Sequence, residues 1–123
     1  MLATAPEIPN GVKELKGTFS GCKSLINSPQ LPDSVTELSE TFGSCILLTT
    51  APEIPKNVKN MSRTFQSCYK LQGEVVVNAS PTTYIYCFQS AGTQGSGIVL
   101  NGSSTVLNEL AATNTHGKVT VGD

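Results

Sequence analysis

Phenylalanine occurs four times in this chain, at Phe19, Phe42, Phe65 and Phe88, and each is 23 residues from the next. Cys22, Cys45 and Cys68 keep the same step. So do Leu2, Leu25, Leu48 and Leu71; Ile8, Leu31, Ile54, Val77 and Leu100; and Val12, Val35 and Val58. A further column runs Leu15, Leu38, Met61, Tyr84 and Leu107, and prolines repeat as Pro6, Pro29, Pro52 and as Pro9, Pro32, Pro55. A period of this length constrains the fold before any local motif does, because one unit is too small to bury its own apolar face and must stack on a neighbour. The units fall at about 2–24, 25–47, 48–70, 71–93 and 94–116, with a final strand at 118–122, all in a single domain over 1–123.

The first three units read together as L-x-x-x-P-x-[IL]-P-x-x-V-x-x-[LM]-x-x-T-F-x-x-C-x-x. Pro6 and Ile8 alternate with Ala5 and Glu7, the period of a short strand. Val12, Leu15, Phe19 and Cys22 then fall on one stripe of a helix. Asn10 and Asp33 are good N-cap types ahead of that stripe, and Gly21 and Gly43 stand where a helix can stop. The expectation is an α/β solenoid of about five turns, each a short parallel strand and a short helix. At a strand spacing of about 4.8 Å, such a stack is roughly 25 Å long.

The array changes after the third unit. Proline cannot donate to a strand ladder, so the first three strands are expected to be short. In the fourth unit Val75 and Asn78 stand where the earlier units have proline, and Val75, Ile98 and Val121 share one phase. Longer strands are expected there, at Ile98–Leu100 and Lys118–Val121 among others. Gly92–Gly97 reads as a loop, and Thr105–Ala112 reads as the most regular helix.

The unit resembles the BspA-like leucine-rich repeats of bacterial surface proteins, whose repeat is also about 23 residues and ends in Phe-x-x-Cys. Phe19 and Cys22, Phe42 and Cys45, and Phe65 and Cys68 carry the likeness, with Val12, Val35, Val58 and the Leu-Pro or Ile-Pro pairs. Residues 1–71 match closely and residues 72–123 keep only the phase. That family commonly has Ala before Phe, where this chain has Thr18, Thr41 and Thr64. The resemblance implies a right-handed leucine-rich-repeat solenoid, exposed at the cell surface or secreted, with a role in adhesion. It carries over no catalytic residue.

The remaining residues fit a binder better than an enzyme. Charged residues make up only 14% of the 123 residues and the net charge is −1, so no basic face is available for nucleic acid or an anionic membrane. No run approaches the ~18 apolar residues needed to span a bilayer. The cysteine column is read as structural: same-phase thiols point in parallel, and three of them cannot pair evenly. Cys87, at the phase of Thr64, is the candidate for a partly exposed reactive thiol. Pairing it with His116 as nucleophile and base lacks any recognised motif, so no catalytic residue, metal or cofactor is expected.

Strand alternation points Ala5, Glu7, Ser28, Gln30, Ala51, Glu53, Glu74, Val76, Gly97 and Val99 away from the core. Glu7, Gln30, Glu53, Glu74, Val76 and Val99 are therefore the expected binding residues, with Phe19, Phe42, Phe65, Phe88, Cys22, Cys45 and Cys68 as core columns. The expected partner is a protein or glycan on a host or neighbouring cell. The alternative is a spacer stalk with no ligand of its own. Met1 directly precedes Leu2 with no polar cap, so the chain reads as part of a longer protein, with fraying or self-association expected at that end.

Overall fold

The computed structural model describes residue 5 and residues 7–122. Leu2, Pro6 and the uncapped first turn lie outside the described residues. Three strands, β1 (Gly73–Val76), β2 (Ile98–Asn101) and β3 (Val119–Val121), form one parallel sheet in the order β1-β2-β3. One helix, α1 (Leu107–Ala112), connects β2 to β3. These are the only strands and helix among the described residues.

This overturns the expected α/β leucine-rich-repeat solenoid of about five strand-plus-helix turns. The described residues of units one to three form neither a strand nor a helix, and each of the three strands is only three or four residues long. The stripe Val12, Leu15, Phe19 and Cys22 is not helical. Alternate N–H groups along this stretch bond three residues back instead: Thr18 to Leu15, Ser20 to Gly17 and Cys22 to Phe19, at 3.0–3.1 Å. Asn10 and Asp33 consequently cap no helix.

The physical reason is a pair of left-handed residues in each of units one to four. Gly17 and Gly21 have φ of 65° and 72°, and the same conformation recurs at Glu40 and Ser44, Arg63 and Ser67, and Tyr86 and Ser90. A left-handed residue breaks an α-helix wherever it falls, and one every fourth position leaves only a succession of tight turns.

The turns consume alternate N–H groups, and the others bond across to the next unit. Leu15, Gly17, Phe19 and Gly21 donate to the carbonyls of Glu37, Ser39, Thr41 and Gly43. Leu38, Glu40, Phe42 and Ser44 donate in turn to Asn60, Ser62, Thr64 and Gln66. Met61, Arg63, Phe65 and Ser67 then reach Thr83, Ile85, Cys87 and Gln89. Isolated parallel bridges accompany these bonds at Glu14–Glu37, Glu37–Asn60 and Asn60–Thr83, in the sector expected to be helical. Among the described residues of the proline sector, only Ile54–Val77 forms a bridge outside β1–β3, as expected where proline removes donors.

Equivalent phenylalanines stack. Ring centroids of Phe19 and Phe42, and of Phe42 and Phe65, are 5.6 Å apart, and those of Phe65 and Phe88 are 5.3 Å apart, with planes within 16°. Leu25, Leu48 and Leu71 are fully buried alongside them, as are Ile54, Val77 and Leu100. The core is one continuous cluster from Leu15 to Val119.

Beyond unit three the register drifts. Gly73 faces Ile98 and Ile98 faces Val119, steps of 25 and 21 residues. Val75 therefore pairs with Leu100 and not with Ile98, and Val121 also pairs with Leu100. The two deviations cancel, so Val75, Leu100 and Val121 line up after all. Gly92–Gly97 forms turns and bends, and the helix begins two residues later than the expected Thr105.

Phe42 is buried between two parallel rings, so Phe42→Ala is expected to cost about 3–5 kcal/mol in chemical denaturation; a loss under about 1 kcal/mol would place it outside the core. At Ser44, whose φ is 59°, a β-branched residue is strained but glycine is not. Ser44→Val is expected to lower stability by about 1–2 kcal/mol and Ser44→Gly to leave it unchanged, measured as urea midpoints.

Candidate functional site

Thiols are the most reactive side-chain groups among the described residues, and they sit in a buried polar network. Backbone carbonyls at the turns already accept one N–H, and a side chain from the next unit fills the second lone pair. Thr41 Oγ1 donates to Leu15 O at 2.8 Å, and Thr64 Oγ1 to Leu38 O at 2.9 Å. Cys45 Sγ donates to Phe19 O and Cys68 Sγ to Phe42 O, both at 3.0 Å. In the unit holding α1, Asn114 takes the cysteine phase. Its Nδ2 donates to Phe88 O at 3.0 Å and Ala91 O at 2.9 Å, while its Oδ1 accepts from His116 N and Lys118 N. The Thr-x-x-x-Cys spacing thus supplies two donors that an apolar pair could not.

All four cysteines are free. Burial pushes the Cys45 thiol from an ordinary 9.0 to about 11 and drives Cys68 and Cys87 up as well. Cys87 is 0% exposed, which corrects the expectation of a partly exposed reactive thiol. His116 is exposed on the surface. A sealed, protonated thiol meets no substrate, so the Cys87–His116 pairing fails on access. Among the described residues, no group of three or more His, Cys, Asp or Glu side chains could hold a metal ion.

On the outer surface, the structure brings Glu7, Gln30 and Glu53 together along one side. Glu7, Asn10, Gln30 and Asp33 line a groove of about 510 Å³. Gln30, Asp33, Glu53, Lys56, Asn78 and Ser103 line a second of about 520 Å³. The two share Gln30, Leu31 and Asp33, so they form one channel crossing successive units. Its floor is apolar at Leu31 and Pro55, and its rim carries three carboxylates against one lysine. Asn78 Nδ2 holds Glu53 Oε1 at 2.7 Å, and Ser103 N donates to Asn78 Oδ1 at 3.1 Å. Glu53 is thereby oriented, while Glu7 and Gln30 stay exposed.

Glu74, Val76 and Val99 do not line either groove. Glu74 Oε2 accepts from Asn101 Nδ2 at 2.7 Å. Val99 faces Glu74 and Thr120, and Val76 faces Asn101. Val76 and Val99 therefore do not face each other across the sheet, and Val76 is half-buried.

A second surface escaped the sequence reading. Thr83, Tyr84, Ile85, Tyr86 and Gln89 border a groove of about 520 Å³ opposite Ala112, Thr113 and Thr115. Ile85 is 53% exposed and Tyr86 41%, and the Arg63 guanidinium sits 5.1 Å from the Tyr86 ring centroid. The signal was a phase change: Ile85 stands where earlier units have Lys16, Ser39 and Ser62, and Tyr86 where they have Gly17, Glu40 and Arg63.

The thiols generate a pH prediction. A raised pKa means the neutral thiol is favoured by folding, so its contribution holds below the ordinary value of 9.0 and is lost as pH rises toward 11. The melting temperature is expected to be insensitive to Cys45 below about pH 9 and to fall between pH 9 and 11; Cys45→Ser should blunt that fall. In native alkylation at pH 8, half-buried Cys22 should react first, and rapid labelling of Cys87 would contradict its burial. In comparisons with known proteins, no family model, no curated protein and no solved structure matches this chain.

Proposed function

We propose that this chain is a non-catalytic binding module of a bacterial cell-surface or secreted protein, and that it recognises a protein or glycan through the channel of Glu7, Gln30 and Glu53. The observation that carries this reading is the channel itself: three same-phase polar side chains converge on two joined grooves, and one of them is held in place by Asn78. Carboxylates and amides above a partly apolar floor are suited to hydroxyl-bearing sugars and to basic or amide-rich peptides. Membership of the BspA-like surface family, and with it an extracellular setting, belongs to the same proposal and draws its support from the repeat motif in residues 1–71. Among the described residues, no helix is long and apolar enough to cross a membrane.

The test compares the parent chain with Glu7→Ala, Gln30→Ala and Glu53→Ala on a glycan array and a panel of purified host-surface proteins. Binding that falls at least about tenfold in Glu53→Ala, about 1.4 kcal/mol, with an unchanged melting temperature, supports recognition. A partner bound equally by all three variants removes the channel from the proposal. A parent chain that binds nothing on either panel favours a spacer.

A further inference from the structure

Polar groups converge on the groove bordered by Tyr84, Tyr86 and Gln89 without pairing to one another. In unit three, the N–H groups of Met61 and Arg63 bond carbonyls of unit four. Their counterparts, the N–H groups of Tyr84 and Tyr86, meet no acceptor among the described residues. By that equivalence the two donors face unit five, where Ala112 and Thr115 form the opposite wall of the groove. The groove is closed at one end. There the Phe88 N–H donates to Thr113 Oγ1 at 2.9 Å, and the Phe88 carbonyl accepts from Asn114 Nδ2 at 3.0 Å.

Two side chains in the same wall are held in place. The Arg63 guanidinium packs over the Tyr86 ring from the preceding unit and does not line the groove. The ring is thus backed on one side and presented on the other. Gln89 Oε1 accepts from Gln66 Nε2 at 2.6 Å, which fixes the orientation of the Gln89 amide and leaves its own Nε2 as a donor with no acceptor among the described residues. Thr83 and Thr115 add exposed hydroxyls, and no charged side chain lines the groove.

We propose that this groove is a binding site for a neutral saccharide, with the C–H face of a sugar ring on Tyr86 and ring oxygens accepting from Tyr84 N–H, Tyr86 N–H and Gln89 Nε2. The lining sets the class of ligand. Three unpaired donors require a ligand that brings oxygen acceptors. The Tyr86 ring and the Ile85 side chain require an apolar surface alongside them. A wall without lysine or arginine leaves an ionised ligand uncompensated. A sugar ring joins an apolar face to a rim of neutral oxygens, and a groove of about 520 Å³ takes one or two such rings. A peptide strand fits poorly, since the backbone here runs through tight turns, with Tyr86 at φ 56°, and its donors do not keep a strand's register. The site shares no lining residue with the Glu7–Gln30–Glu53 channel and does not rest on it.

The experiment titrates the 123-residue chain separately with cellobiose, maltose, lactose and diacetylchitobiose, following amide proton–nitrogen NMR spectra. Glycerol, which has hydroxyls but no ring face, is the control. The expected result is that at least one disaccharide, at millimolar concentration, saturably shifts the Tyr84 and Tyr86 amides and the Gln89 side-chain amide. Tyr86→Ala, and Ala112→Phe, which fills the groove from its opposite wall, should each weaken that binding about tenfold or more. Tyr86→Phe should keep it, and the remaining amides should stay in place in all three variants. If Tyr86→Ala does not fold, Ala112→Phe decides. Amides of Tyr84 and Tyr86 unmoved by all four disaccharides overturn the proposal. So do equal shifts with glycerol, binding that survives either substitution, and shifts confined to Gln30 and Glu53.

Discussion

The division of backbone N–H groups between a local turn and the next unit is the interaction on which the rest depends. Every second donor between Leu15 and Gly21 closes a turn, and the others cross to the neighbouring unit. The described residues of units one to three thereby pair these main-chain donors with neither a helix nor a regular strand. Buried polar backbone left unpaired is costly, and here the pairing is repeated phase by phase. The side-chain donors Thr41, Thr64, Cys45 and Cys68 extend the same logic to the second lone pair of the turn carbonyls. Apolar columns then fill the interior that this scaffold defines.

The period was fully legible in the sequence, and so were the columns of Phe, Leu and Ile, because burial selects side chains by phase. The secondary structure inside a unit was not. Apolar residues at Leu15, Phe19 and Cys22 satisfy a helical spacing, but a ribbon that turns every four residues produces the same stripe. The distinguishing residues were present in unit one as Gly17 and Gly21, the natural occupants of left-handed positions. In later units Glu40, Ser44, Arg63 and Ser67 hide that conformation. Thr41 and Thr64 read as departures from a repeat motif, and only their hydrogen bonds reveal why a hydroxyl is needed there.

The surface was legible where it followed the period. Alternation correctly turned Glu7, Gln30 and Glu53 outward, since side chains one unit apart share a direction. It could not supply Asp33, Lys56, Asn78 or Ser103, which enter the channel from turns and from a unit whose register has slipped by two residues. Nor did it mark Ile85 and Tyr86, which lie where the next unit winds into α1 and not into the ribbon of turns found in the units before it. Cys87 shows the converse. Its odd phase suggested access, yet it enters the buried column of Thr41 and Thr64, where a small side chain fits.

The paired steps of 25 and 21 residues between β1, β2 and β3 bear on how such a chain can change length. A single inserted residue would flip the inward and outward sets of every following unit and misalign donors with acceptors. Two extra residues are tolerated here because two fewer come next and the phase is restored before the sheet ends. Growth or shrinkage of the array is accordingly quantised: whole units can be added or lost, and smaller changes survive only in compensating pairs.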